Sequence, residues 1–276
     1  MTTQPAPVLN DRVAPDDAPS RWSAALTSTE GVAVLRVAIV LGMIGALEYY
    51  PWPSSARLWM IKPSAIGQTL GGWFAEGLVW EHLSATLLTM ALGYVIGSVL
   101  GIAAGIALGL SPRVNRALTP FIAAAYALPK IALAPLLIIV FGLGFGSKIP
   151  LVAATVFFIV LNSTLDGIRS ADPDVVDVLK IMGASRSEAI RKVLLPGAWP
   201  WIFVGLRISV RYAFTNTILA ELIGANSGLG YLIEINAARF DATGTYAAVL
   251  LLVIVSVALT EALVVIERTF VRQGRT

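Results

Sequence analysis

Ser170-Ala171-Asp172-Pro173-Asp174-Val175-Val176-Asp177-Val178-Leu179-Lys180-Ile181-Met182-Gly183-Ala184-Ser185-Arg186-Ser187-Glu188, running on to Leu195-Pro196, interrupts the apolar second half of this chain. The segment from 170 to 197 is too long and too polar for a simple turn. Asp172 before Pro173 reads as a helix N-cap with proline at the first helical position. Asp174 and Asp177 follow in the early turns, where the helix dipole favours anions. Val176, Leu179 and Met182 share one face at helical spacing. Gly183 fits a helix stop, and Ser185-Arg186-Ser187-Glu188 reads as a capping box that starts a second short helix. That helix is expected to reach Leu195 and to end at Pro196. A compact loop with apolar faces either packs back as a re-entrant element or presents them to a partner.

The runs on either side of this loop set the fold class. Of 276 residues, 57% are hydrophobic and 13% charged, where a soluble domain carries roughly 25% charged residues. Mean hydropathy is +0.78. About 20 apolar residues in a row cross a bilayer, and the sequence predicts six such helices, at 31–50, 84–110, 117–142, 149–169, 198–223 and 246–267. The expected fold is therefore an all-α polytopic membrane protein with a single membrane domain over 29–270. Residues 1–28 are polar and rich in Pro, Asp, Ser and Thr, and read as a disordered tail. They carry no short cleavable signal pattern. Residues 271–276 read as a short basic tail.

Six spans place both termini on one side. Arg12, Arg21, Arg113, Arg116, Arg169, Lys180, Arg186, Arg191, Lys192, Arg268, Arg272 and Arg275 fall on that side, and Arg57, Lys62, Lys148 and Arg239 on the other. Twelve against four makes both termini, and the 170–197 loop, cytoplasmic. Trp52, Trp59, Trp73 and Trp80 then lie at the outer face and Trp199 and Trp201 at the inner, as an aromatic belt requires. Residues 51–83 and 224–245 form outer segments. The second has a turn at Asn226, Ser227, Gly228 and Gly230, and a short surface helix over 231–240.

Three spans carry residues that simple lipid contact does not explain. Gly93, Gly97, Gly101, Gly105 and Gly109 recur every fourth residue in the second span. Small residues at that spacing let helix backbones approach closely. The third span holds Pro120, Pro129 and Pro135, with Lys130 beside the middle one. Lys130 either meets a carbonyl or carboxylate in a kinked packing helix, or lines a watery cavity. In the fifth span Arg207 and Arg211 share a face, about 10 Å and 16 Å inside the inner interface at 1.5 Å per residue. Arg207 is expected to pair with Glu261 of the sixth span, at a similar depth. Arg211 has no evident partner and suits an anionic substrate. Thr215 continues its face, and Asn216 lies beside it. Glu221, near the outer end, belongs to a gate or to an interfacial network. Lys130, Arg211, Thr215, Asn216 and Glu221 are the candidate pathway residues.

Several chemistries are disfavoured. The net charge of +3 follows topology and forms no nucleic-acid patch. With no cysteine and one histidine, His82, at the outer interface, neither a His-based metal site nor a catalytic triad is expected. Gly142-Leu143-Gly144-Phe145-Gly146-Ser147-Lys148-Ile149 lacks the spacing of a phosphate loop and the Ser/Thr after its lysine. No cofactor is expected in the chain, and a motor would have to be another subunit.

Asp177-Val178-Leu179-x-x-x-Gly183 followed by Val193-x-Leu195-Pro196 resembles the "EAA" signature of bacterial ABC importer permeases, with Asp for Glu and Val-Leu for the two alanines. Leu128-Pro129-Lys130-Ile131-Ala132-Leu133-Ala134-Pro135-Leu136 and Ser227-Gly228-Leu229-Gly230-Tyr231-Leu232 are similar to the nitrate/sulfonate/taurine branch of that family. The resemblance spans about 65–270 and implies the type I importer architecture in a bacterial inner membrane. It implies a second permease copy, two ATPase subunits that hold ATP and magnesium, and an extracytoplasmic binding protein. The helix 173–183 would be the coupling helix, with Asp172, Asp174, Asp177, Leu179, Met182, Gly183, Ser185, Leu195 and Pro196 forming the ATPase-coupling element. The branch takes small anions such as sulfonates, taurine, nitrate and aromatic carboxylates, and also neutral vitamin or pyrimidine precursors. Two other classes compete. An ion-coupled secondary transporter would use Lys130, Arg211, Glu221 and Glu261 as a relay, but predicts internal repeats that are not evident and leaves 170–197 unexplained. An intramembrane enzyme would need a nucleophile–base or metal constellation that the sequence lacks.

Overall fold

The computed structural model describes residues 29–51, 53 and 61–273, and among these the chain is helical, with no strand. Five of the helices are long and apolar enough to cross a membrane, or six if one bent pair forms a single span. The chain divides into two units, one up to Pro63 and one from Ser64. The first contains α1 (Thr29–Tyr49), whose apolar side chains are exposed. The expectations for the 1–28 tail, for Arg57 and for the belt residues Trp52 and Trp59 lie outside the described residues.

The second unit is built around α6 (Phe145–Arg169), held between α3 (Leu78–Gly109) and α9 (Leu195–Gly224). Leu151, Val152, Val156, Val160 and Leu161 of α6 are almost completely buried. The glycine stripe explains the α3–α6 contact. A Cβ on Gly97 would lie 2.5 Å from the Ala153 carbonyl oxygen, and one on Gly105 would lie 2.5 Å from Thr164 Cβ. Gly167 and Gly205 play the same part between α6 and α9, against Trp201 and Ser163. In lipid, where apolar burial gains little, this close approach gains dispersion contacts. Polar residues in the packed faces satisfy themselves locally: Thr155, Thr164 and Thr217 donate to the carbonyls of Leu151, Val160 and Ala213. Such back-bonding lets a hydroxyl sit at membrane depth.

The third expected span is broken rather than merely kinked. α4 (Pro112–Ala127) and the segment Lys130–Phe141, which contains α5 (Ala134–Phe141), meet at 82°. Leu128 takes an extended conformation (ψ 131°) and so does Pro129 (ψ 100°). A residue before proline is driven out of the helical region, so Pro129 decides the break, whereas Pro120 is carried inside α4 without one.

On the outer side, α2 (Pro63–Ala75) precedes α3, and α10 (Leu229–Ala238) fills most of the predicted surface helix. α11 (Ala242–Gln273) extends past residue 270, into what was expected to be a tail. The cytoplasmic loop contains α7 (Pro173–Ile181) and α8 (Arg186–Ala189).

Candidate functional site

The 170–197 loop folds by the local rules its residues carry. The Asp172 carboxylate accepts from the Asp174 N–H at 2.9 Å and so caps α7. Gly183 adopts φ +82°, and the Ala184 N–H returns to the Leu179 carbonyl at 2.9 Å, closing the helix with a left-handed residue. Glycine alone takes that conformation at no steric cost. Ser185 and Glu188 form the full reciprocal capping box of α8, and Lys192 adds an ion pair to Glu188 at 3.1 Å. The presented apolar surface differs from the predicted one. Val175, Val178, Ile181 and Met182 are exposed, while Val176 and Leu179 are half-buried. Of the expected stripe, only Met182 is fully presented.

Pro196 does not end the helix. Ile190–Leu194 form one wide π turn in which the Leu195 N–H donates to the Ile190 carbonyl, and α9 continues through Pro196 and Pro200. A proline at the start of a helix sits where no N–H is needed, and the wide turn absorbs the mismatch. The loop therefore flows directly into a core helix. Its other tie is Arg186, whose Nη2 donates at 2.8 Å to the carbonyl of Leu110, the residue that ends α3.

Lys130 sits at the 82° break. Its ammonium donates to the Tyr126 carbonyl at the end of α4 and lies 4.8 Å from the Tyr126 ring centre and 5.3 Å from that of Phe158. A cation at a helix C-terminus meets the negative end of the dipole. Of the two sequence readings, the geometry is that of a lysine closing a broken helix.

The expected Arg207–Glu261 pair is not formed among the described residues. Arg207 and Arg211 instead border one cleft of about 90 Å³ with Phe214, Ser256, Leu259 and Thr260. Successive residues of a helix point about 100° apart, so turning Thr260 towards the cleft turns Glu261 away, and Glu261 is exposed. Thr215 and Asn216 donate to carbonyls of their own helix, those of Arg211 and Tyr212.

Glu221 is buried in a polar network. It is 1% exposed and accepts from the Thr86 hydroxyl and, at 3.0 Å, from the Gly230 N–H. Thr86 in turn accepts from the Leu229 N–H at 2.8 Å, and His82 Nδ1 accepts from the Gly228 N–H at 3.0 Å. Lys148, 2% exposed, donates to the Ser227 carbonyl. This buried clasp ties residues 227–230 to α3, α6 and α9, and gives Glu221 the network partners that one of its two readings called for. His82 belongs to it, buried against Tyr231. Sequence reasoning missed Thr86 and Lys148 as partners. The available signal was a glutamate near the end of an apolar span followed by Gly228-x-Gly230.

Comparison with known proteins agrees with this geometry. Residues 93–272 match the model of the family described as binding-protein-dependent transport system inner membrane component. A putative aliphatic sulfonates transport permease protein, SsuC of Escherichia coli, is 38% identical over 79% of this chain and 84% of its own. A riboflavin transport system permease protein, RibX of Chloroflexus aurantiacus, is 37% identical over 72% of this chain and 74% of its own. The inward-facing MetNI methionine ABC transporter shares the fold, with a TM-score of 0.59 and 21% identity over 70% of this chain and 95% of that one. The chain belongs to the binding-protein-dependent transport family, as an inner-membrane ABC importer permease.

Proposed function

We propose that this permease carries a small organic or inorganic anion, of the sulfonate, taurine, nitrate or aromatic carboxylate type, through the bacterial inner membrane. Two identical copies stand on two ATPase subunits that bind ATP and magnesium, and an extracytoplasmic binding protein delivers the substrate. The chain itself does no hydrolysis.

The observation that carries this reading is the loop geometry. α7 is rigidly capped at Asp172 and closed at Gly183, and it presents Val175, Val178, Ile181 and Met182 to the cytoplasm. Exposed apolar side chains on a short, stiffened helix suit insertion into a cleft of a motor subunit. Closure of the motor pair on ATP would move α7. The continuous passage through the π turn into α9 would carry that motion to the membrane core.

Ile181→Asp tests the reading in the reconstituted transporter with the ATPase and binding protein of its operon. The variant is expected to assemble its membrane core but to lose ATPase co-purification and uptake, because an aspartate buried without a partner costs several kcal/mol, roughly 3 or more. Wild-type co-purification and uptake in Ile181→Asp would count against α7 as the docking element. The relative named for riboflavin favours a neutral substrate as the second reading, and uptake of taurine or an alkanesulfonate against riboflavin separates the two.

A further inference from the structure

We propose that Phe240 is an aromatic anchor by which the outer face docks the extracytoplasmic binding protein, its ring seating in an apolar pocket of that partner. The inference rests on the importer reading above and deepens it. Phe240 lies in the turn between α10 and α11, on the outer side. It is 92% exposed, more than any other large apolar side chain among the described residues. Its backbone is left-handed, φ +56°, and among the described residues no other non-glycine residue has a positive φ. Bulky side chains are rarely found in that conformation.

The fold alone does not call for phenylalanine here. α10 closes as α7 does: the Asp241 N–H returns to the Asn236 carbonyl at 2.9 Å around Phe240, as the Ala184 N–H returns to the Leu179 carbonyl around Gly183. In α7 the left-handed position is filled by glycine, which takes it at no steric cost. In α10 it is filled by a ring that is strained in place and gains almost no burial within the chain. The turn is also stiff. Asp241 Oδ1 accepts from the Gly244 N–H at 3.0 Å to start α11, and the Thr245 hydroxyl donates to the Asp241 carbonyl at 2.7 Å. A rigid, exposed ring loses little freedom on docking, and aromatic side chains are enriched at the centres of interfaces.

Lipid is the poorer occupant. Exposed Arg239 and Asp241 flank the ring, and charged groups oppose entry into hydrocarbon. Tyr246, the first aromatic of the expected sixth span, takes the interfacial place. Phe240 stands on the order of 6–9 Å farther out along α11, at the water edge of a headgroup layer roughly 5–8 Å deep. The family is described by its dependence on a binding protein, and that partner is the one that reaches this face.

The test uses the full transporter in nanodiscs, with the ATPase and binding protein of its operon, and reads ATP hydrolysis against binding-protein concentration. Phe240→Ala and Phe240→Gly are expected to raise the half-stimulating concentration roughly tenfold or more, with the plateau rate kept, and Phe240→Trp to recover most of the affinity. Phe240→Gly should also leave the thermal midpoint unchanged or raise it, because glycine relieves the left-handed position. Weaker docking in an equally or more stable chain is a pairing that a merely structural ring would not give. Unshifted half-stimulating concentrations in both variants overturn the anchor. So does a lower midpoint in Phe240→Gly, which would assign the ring to lipid or to packing within the chain. Loss of the permease dimer in that variant would assign it to the second copy and overturn the anchor as well. Absence of stimulation in the wild type would remove the binding-protein reading itself, and the anchor with it.

Discussion

At the scale of single residues, the outer clasp is where one atom matters most. A Cβ on Gly228 would lie 2.2 Å from the Glu221 carboxylate, and φ at this glycine is +118°. Gly228→Ala is therefore expected to push the carboxylate off Thr86 and the Gly230 N–H, leaving buried polar groups unpaired. The cost should be roughly 2 kcal/mol or more, read as a lower thermal midpoint of the purified chain by tryptophan fluorescence. Thr86→Val removes a hydroxyl that both donates to Glu221 and accepts from Leu229, and is expected to cost about 1–3 kcal/mol by the same measurement. An unchanged midpoint in both variants would refute the clasp. This part of the molecule was poorly legible in the sequence. Glu221 stood out as an acid in an apolar run, but Thr86 is 135 residues away, and nothing local marks one threonine of α3 above another. Asp172, Gly183, Ser185 and Glu188, by contrast, were legible because capping is a rule of neighbours within four residues.

At the scale of elements, the α3–α6 pair shows that regular spacing can be read directly as packing. Glycines every fourth residue predicted one close helix contact, and the structure places α6 against them. Gly97→Ala is expected to destabilise the chain by about 1–3 kcal/mol, the usual cost of overpacking, because the added carbon meets backbone that cannot give way. Gly71→Ala in α2, with nothing within 4 Å of its Cβ position, is expected to be neutral or to gain up to about 1 kcal/mol from helix propensity. Thermal unfolding of the two variants side by side checks the contrast. The breaks between elements were harder to foresee. Three prolines in the third span all argued for a kink, but only Pro129 turns the chain through 82°, whereas Pro120 stays inside α4 without a break. Pro196 looked like a terminator, yet the π turn before it let the helix continue. A proline's local cost is fixed, whereas the structure's answer to it depends on what lies on either side.

At the scale of the whole molecule, all three core helices reach the cytoplasmic loop, each by a different joint. α6 leads into α7 through Ser170, the π turn leads into α9, and the α3 end is held by Arg186 through the Leu110 carbonyl. The first two joints are covalent; the third is a single charge-assisted hydrogen bond at the negative end of a 32-residue helix, where a cation is favoured. If motion of α7 is to be passed to the core as one body, α3 follows either through its contacts with α6 and α9 or through Arg186. Arg186→Gln separates these routes, since it removes the charge and leaves the glycine packing and the Ser185–Glu188 capping box untouched. Loss of one exposed charged hydrogen bond should lower stability by about 1 kcal/mol or less, so assembly should survive. A strut at Leu110 predicts that ATP hydrolysis persists while substrate moved per ATP falls in proteoliposomes, with partial recovery in Arg186→Lys. An unchanged ratio in Arg186→Gln would rule out the strut and leave α3 to follow the loop through its contacts with α6 and α9.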